Sequence, residues 1–226
     1  MIRQSWLTLL KGFYEKKYMI SIIDFDYTLF DTLRFRQVAL PKFFGLTTSE
    51  FNEYYQEIRL HDRGFYSVMT QIAEMPFETE KKIEIIKSLP KFLQDCKVDY
   101  LFPGAIDLLE QLKSGDNKLV LLTRGNTEWQ KMKVNNLLLG DQKFVDFFAE
   151  VIYTEVLKCE HEDVVKYVGQ KVVIINDNAR ENRDLLALFG DGVTAYLVQS
   201  EHSDNIKHQY KIWPDLESIR QDIIKK

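Results

Sequence analysis

Cysteine is scarce in this chain, with two residues, Cys96 and Cys159, in 226. Two thiols cannot build the disulfide framework of a small secreted domain, and they fit a reducing compartment. Long apolar runs are missing too: none approaches the roughly 20 residues that span a bilayer. The nearest thing to a leader is Arg3 followed by Trp6-Leu7-Thr8-Leu9-Leu10. That run is too short, ends in Lys11-Gly12, and has no small-residue cleavage site after it, which argues against a signal peptide. It reads instead as an amphipathic extension over residues 1–17 that docks Trp6, Leu10 and Phe13 on the domain. Met19 falls inside the first expected strand, so a start at Met1 keeps that strand's entry residues. Low-complexity and collagen-like patterns are absent. So is an excess of charge of one sign: 30 Lys and Arg stand against 34 Asp and Glu, net −4, which leaves no electrostatic case for nucleic acid as main partner. A cytoplasmic protein without a membrane anchor is the expectation.

What is present is a normal supply of core. Hydrophobic residues make up 45% of the chain and aromatics 13%, so one large domain, or one domain carrying an insert, is the prior. Tyr18–Asp24 (YMISIID) is a short apolar run rich in β-branched residues and ends in an acid, as a parallel strand buried on both faces would. Lys118–Thr123, Lys171–Asn176 and Val193–Val198 look alike, and Glu150–Tyr153 is a weaker fifth. Helical patterns lie between them at Ala105–Lys113, Thr127–Leu139, His161–Val168 and Arg180–Phe189. This alternation predicts right-handed crossovers and a Rossmann-like three-layer α/β core around a parallel sheet. Residues 33–98 break the rhythm. They lack a buried-strand signal and carry helical patterns at Leu33–Phe44, Ser49–Arg59, Phe65–Glu74 and Glu78–Asp95, with loops at Gly45–Thr47, Asp62–Gly64 and Met75–Pro76. They read as an inserted α-helical cap, leaving 18–32 and 99–226 as a discontinuous core.

Ligands of open α/β sheets bind beyond the carboxyl ends of the strands, and each strand here ends in polar groups. The first ends in Asp24-Phe25-Asp26-Tyr27-Thr28, the second in Thr123-Arg124-Gly125-Asn126. The fifth, weaker strand leads into Lys158, and another ends in Asn176-Asp177-Asn178 with Glu181 beyond. A carboxylate such as Asp24 can attack phosphorus and divide one hard displacement into two easier ones. Carboxylate and phosphate repel, so a divalent cation must bridge them; Mg²⁺ suits, with oxygen ligands from Asp24, Asp177 and the Asp26 carbonyl. The Asp26 side chain can protonate the leaving alcohol and later deprotonate the attacking water. Thr123 and neighbouring N–H groups can bond the equatorial oxygens while Lys158 neutralises them.

These four motifs (DFDYT, LLTRG, a lysine ahead of a helix, and IINDN), in this order at strand tips, resemble the haloacid dehalogenase superfamily over the whole chain except its N-terminal tail. LFPGAIDLLEQLK is similar to that family's re-entry helix after the cap. The resemblance implies Asp24 as nucleophile, Asp26 as acid/base, Thr123, Arg124, Gly125 and Lys158 as the phosphate-binding set, and Asp24, Asp26 and Asp177 as the Mg²⁺ ligands. An acid two residues after the nucleophile goes with the family's phosphatases, whereas its dehalogenases lack it. The implied activity is hydrolysis of a small phosphorylated metabolite. Two departures stand out: Asn176 precedes Asp177 where a second acid is frequent, which makes Glu181 either a ligand or a solvated first-turn residue, and Cys159 follows Lys158 in place of proline.

The remaining polar and aromatic residues carry weaker signals. Arg124 reaches substrate or pairs with an acid. Cys159 is an inert thiol. His61, Arg34 and Arg36 lie where the cap could cover the site, and each alone reads as a surface residue before a specificity determinant; the cap aromatics Phe43, Phe44, Phe51, Tyr54, Tyr55, Phe65 and Tyr66 are core, with one or two lining a cavity. His202 and His208 carry no signal. Three rivals share some of these features: a receiver-type phosphoacceptor, whose motif order differs; a phosphotransferase or phosphomutase with the same motifs; and a non-catalytic protein of the same fold.

Overall fold

A computed structural model of the protein describes residues 19–61, 64–115, 117–203 and 211–225. The expected amphipathic extension over 1–17, the loop residues 62–63, and His208 lie outside the described residues. Six parallel strands form the main sheet in the order β5-β2-β1-β6-β7-β8. They are β1 (Ile20–Ile23), β2 (Lys118–Arg124), β5 (Glu150–Thr154), β6 (Val172–Asn176), β7 (Val193–Val198) and β8 (Ile212–Trp213). The first five answer to the sequence pattern. β8 does not, because two residues at a sheet edge are too short to carry a period. A hairpin of β3 (Leu138–Leu139) and β4 (Gln142–Lys143) stands apart.

Successive side chains on a strand face opposite ways, and both faces of this sheet are apolar. Ile20, Ile22, Val120, Leu122 and Ile174 pack against Val164, Tyr167, Leu185 and Phe189 on one side. Ile23, Leu119, Leu121 and Ile175 pack on the other against Leu108 and Leu112 of α5 (Ala105–Ser114) and Ile219 of α9 (Leu216–Ile224). α6 (Thr127–Asn136) follows β2 and α8 (Ala179–Phe189) follows β6, giving the three layers. The helix expected over His161–Val168 contracts to α7 (Glu162–Val165), preceded by a 3₁₀ turn at Lys158–Glu160.

Between β1 and α5 the described chain is helical. α1 runs through Thr32–Arg34, a π-helical turn at Phe35–Ala39, and Leu40–Phe44; α2 is Thr48–His61, α3 Val68–Glu74 and α4 Thr79–Cys96. The π turn has a local cause. Pro41 has no N–H to give the Gln37 carbonyl, and the Thr48 hydroxyl donates to that carbonyl instead, at 3.0 Å, while Leu40 N–H reaches back to Phe35. The buried rings of the insert (Phe35, Phe44, Phe51) belong to the same continuous apolar cluster as the sheet face carrying Ile23 and Ile175. The insert is thereby seated on the core, and the chain leaves and re-enters it through a short stem in which Phe30 bridges to Leu101.

Candidate active site

Strand order reverses direction about β1, with β2 on one side and β6 on the other, so their tips open a crevice. Asp24 stands at its centre: its N–H extends the ladder to Ile175 at 2.9 Å and its side chain is largely buried. Lys158, buried at the start of its 3₁₀ turn, reaches Asp24 at 2.7 Å and Glu181 at 2.8 Å. Glu181 also faces Arg124 at 3.6 Å and accepts from the Asn176 amide at 3.3 Å. Asp177 accepts from the hydroxyls of Ser200 (2.8 Å) and Thr28 (3.4 Å). Three acids thus share two cations, of which Lys158 is buried and Arg124 partly exposed. Burial pushes the Asp24 carboxyl up to about 8, with Lys158 opposing and Asp177 and Glu181 adding to the rise. Burial likewise lifts Asp177 to about 6, despite the Ser200 bond. Glu181 moves down, since the Lys158 ion pair and hydrogen bond outweigh its burial.

The departure at position 176 becomes intelligible here. An acid at this position would repel Glu181, whereas Asn176 donates to Glu181 and accepts the Asn178 N–H at 3.2 Å. Glu181 is neither solvated nor directed at Asp177: it orients Lys158 and Arg124. The Asn178 side chain caps α8 by accepting from the N–H groups of Arg180 and Glu181.

Asp26 lives in a different setting. Its carboxylate takes Lys133 at 2.5 Å, the Thr32 hydroxyl at 2.5 Å and the Gln130 amide at 2.6 Å. Burial alone would raise it, but the Lys133 charge and these three hydrogen bonds win and hold it below the usual carboxylate range. Lys133 is itself buried, with its ammonium 5.3 Å from the Phe25 ring centroid and 5.7 Å from those of Phe30 and Trp129. Gly125 makes room for the tether: a Cβ there would stand 2.5 Å from the Gln130 amide nitrogen. Neither Lys133 nor Gln130 was singled out in the sequence, where both read as polar residues of an ordinary helix.

Asp24, Asp26, Arg124, Gly125, Lys158 and Asp177 line one cleft of about 370 Å³, a volume suited to a small molecule. Thr123 does not reach the cleft wall; it is fully buried, and its hydroxyl has no partner among the described residues. The insert supplies the facing wall, including Arg36, Arg59, Tyr55, Phe65 and Tyr66, so Arg36 departs from the surface role expected for it while Arg34 instead covers the Tyr100 ring. Tyr27 follows Asp26 in a left-handed conformation (φ 60°), uncommon for a bulky residue and a mark of local strain. Its ring meets His202 edge-on at 4.7 Å, and both border the cleft. The expectation that His202 carries no signal is therefore corrected: the segment after β7 folds over the strand tips, where the Ser200 hydroxyl, bound to Asp177, also receives the His202 N–H at 2.9 Å. His61 is exposed and outside the cleft. The Cys159 thiol is pushed up by burial and by Asp184, the state of an inert thiol.

The donor set suits a hard divalent cation. Asp24, Asp177 and Glu181 carry one more negative charge than Lys158 and Arg124 offset, and burial together with this surplus raises the proton affinity of Asp24 and Asp177. No group of three His, Cys, Asp or Glu side chains forms a ready cage among the described residues. Mg²⁺ does not need one, because it keeps several waters and uses few carboxylates.

Comparison with known proteins agrees with the geometry. A family model described as haloacid dehalogenase-like hydrolase matches residues 21–192. Among solved structures, the magnesium-bound HAD-hydrolase YfnB from Bacillus subtilis is 17% identical with a TM-score of 0.59, covering 92% of this chain and 99% of that one. A HAD phosphatase from Thermococcus onnurineus is 16% identical at 0.56, covering 91% and 97%. L-2-haloacid dehalogenase from Xanthobacter autotrophicus, with chloropropionic acid covalently bound, is 12% identical at 0.57, covering 92% and 98%. The comparison with curated proteins finds no match. At such identities the structures speak for the fold, and among the described residues no helix is long and apolar enough to cross a membrane. The family model spans three quarters of the sequence and contains all four motifs: this chain belongs to the haloacid dehalogenase-like hydrolases.

Proposed function

We propose that the protein is a Mg²⁺-dependent phosphohydrolase that cleaves a small phosphomonoester through a phospho-aspartate at Asp24. The observation that carries this reading is Asp26, a second carboxylate on the wall of the cleft that holds Asp24 and Lys158. Displacing halide from carbon needs no proton for the leaving group, whereas an alkoxide leaving phosphorus does.

Asp24 attacks phosphorus while its other oxygen, the Asp177 carboxylate and the Asp26 main-chain carbonyl would hold the metal. When bound, the ion neutralises charge between carboxylate and phosphate. Lys158 draws negative charge off the phosphoryl oxygens, with Glu181 keeping its ammonium in place. The Lys133 tether favours the ionised form of Asp26, which suits the second half-reaction: Asp26 takes a proton from the water that attacks the phospho-aspartate. In the first half-reaction the protonated form of Asp26 gives its proton to the leaving oxygen, and the proton taken from water in the second restores it, so leaving groups that depart as stable anions ask least of it.

The test is release of inorganic phosphate from 4-nitrophenyl phosphate with Mg²⁺ and with EDTA, beside release of chloride from 2-chloropropionate. Wild type should release phosphate only with Mg²⁺, and Asp24→Asn should abolish turnover. Chloride release without phosphate release would overturn the reading in favour of a dehalogenase. Phosphate appearing chiefly on added glycerol would make the enzyme a phosphotransferase.

A further inference from the structure

The two walls of the cleft carry charge differently. On the core side every cation has a carboxylate: Lys158 holds Asp24 and Glu181, Arg124 faces Glu181, and Lys133 holds Asp26. The insert contributes no carboxylate to the wall among the described residues; it contributes Arg36, Arg59 and aromatic rings. Neither arginine has a carboxylate partner there. Both are held in place nonetheless. The Arg36 guanidinium stands 4.8 Å from the Tyr55 ring centroid and that of Arg59 stands 5.7 Å from the same ring, and Arg59 Nε donates to the Gly64 carbonyl at 2.8 Å. The Arg36 Nε is buried and has no hydrogen-bond partner among the described residues. Arg36 belongs to the π turn at Phe35–Ala39, an irregularity that often accompanies functional sites.

A planar guanidinium braced on an aromatic face, with donors unspent, is preorganised for a planar or tetrahedral anion. From this juxtaposition we infer that Arg36 and Arg59 form a second anion subsite, so that the preferred substrates are small phosphomonoesters whose leaving group carries a further carboxylate or phosphate. The inference rests on the phosphohydrolase reading and deepens it. The scissile phosphate lies at Asp24 and Lys158, and the second anion lies across the cleft at the Arg36 and Arg59 guanidinium groups that Tyr55 braces. The excess positive charge of the insert wall is then matched by substrate rather than by protein.

Two matched pairs of substrates test it. Phenyl phosphate against 4-carboxyphenyl phosphate reads the carboxylate, and 3-hydroxypropyl phosphate against propane-1,3-diol bisphosphate reads the phosphate. In at least one pair the doubly anionic member should be favoured in kcat/KM by about ten- to a hundredfold, the range of one or two charge-assisted hydrogen bonds, mostly through KM. Arg36→Gln and Arg59→Gln should each shrink that ratio severalfold, and the double variant should remove it. Arg36→Lys should restore only part, since an ammonium lacks the fork. Arg183→Gln, whose exposed guanidinium pairs with Asp184 away from the cleft, should leave the ratio as in wild type.

Calorimetric binding of the same compounds to Asp24→Asn gives a readout independent of turnover. There the doubly anionic member should bind tighter, and adding Arg36→Gln with Arg59→Gln should erase the difference. Equal kcat/KM and equal binding within both pairs would overturn the subsite, and so would a preference that survives the double arginine variant. Selective binding by Asp24→Asn with no turnover of any ester by wild type would uphold the subsite and count against the phosphohydrolase reading alone.

Discussion

Asp24 and Asp26 are two residues apart, and each meets a buried lysine, yet their proton affinities move in opposite directions. The lysines do not explain the contrast, since Lys158 and Lys133 are equally inaccessible. The company does. Asp24 shares Lys158 with Glu181 and lies near Asp177, so its surroundings hold surplus negative charge. Asp26 has Lys133 with no competing acid, and two neutral donors besides. A salt bridge therefore says little about ionisation until every charge around it has been counted. One carboxylate is set where negative charge is in surplus, and the other is held toward its ionised form by its tether.

Removing the lysine on the Asp24 side should have the largest effect. Lys158→Met leaves Asp24 and Glu181 facing each other, and hydrolysis of 4-nitrophenyl phosphate should fall by about a hundredfold or more, the scale of losing one oriented donor to the reacting oxygens. An activity within a few fold of wild type would break the comparison at once. On the other side, Lys133→Met should cost about 2–3 kcal/mol of stability at pH 7, below the full cost of breaking a buried pair because the Asp26 side chain keeps 18% of its exposure. The sign with pH follows from the lowered Asp26 affinity. Its contribution is present above the ordinary carboxylate range and is lost as pH falls through the folded value, so wild type and variant should converge in chemical denaturation at acid pH. A gap that stays constant from pH 7 down to about pH 2 would mean the tether acts through packing alone.

Metal should reveal the same asymmetry. Asp24 and Asp177 hold protons more tightly folded than unfolded, so without metal their burial costs nothing at low pH and progressively more as pH rises through about 6 and about 8. Saturating Mg²⁺ should therefore raise the melting temperature by about 5–10 °C at pH 8 and by little at pH 5. Equal gains at both values would show that these carboxylates are not the ligands. The smallest effect is expected at Gly125→Ala, which crowds the Gln130 amide off Asp26. One of three hydrogen bonds is lost, about 1 kcal/mol, and the acid limb of the rate profile should move up less than in Lys133→Met.

The parts of this arrangement differ in how legible they were. β1, β2, β6 and β7 announce themselves because a strand buried on both faces must be continuously apolar, and the polar cluster at each tip then has one place to be. Lys133 was invisible because a lysine in a helix is ordinarily solvated; only the meeting of α6 with Phe25, Phe30 and Trp129 around its stem makes it internal. Ser200 and His202 come from a polar loop without periodicity, which acquires meaning once β7 is known to end beside β6. Arg36 became distinct through the π turn, a local irregularity that spacing arguments pass over.

The sequence by itself determined the sheet, the helical interruption after β1 and the convergence of Asp24, Asp26, Lys158 and Asp177, because apolar period and motif order depend on short-range chemistry and chain direction. Tertiary structure alone decided which lysine serves which carboxylate, that Glu181 pairs with Lys158 and Arg124, and that two arginines of the insert share one cleft with Asp24 and Asp26. Those are outcomes of charges brought together from distant parts of the chain, and their energies depend on burial and on neighbours that no local pattern records.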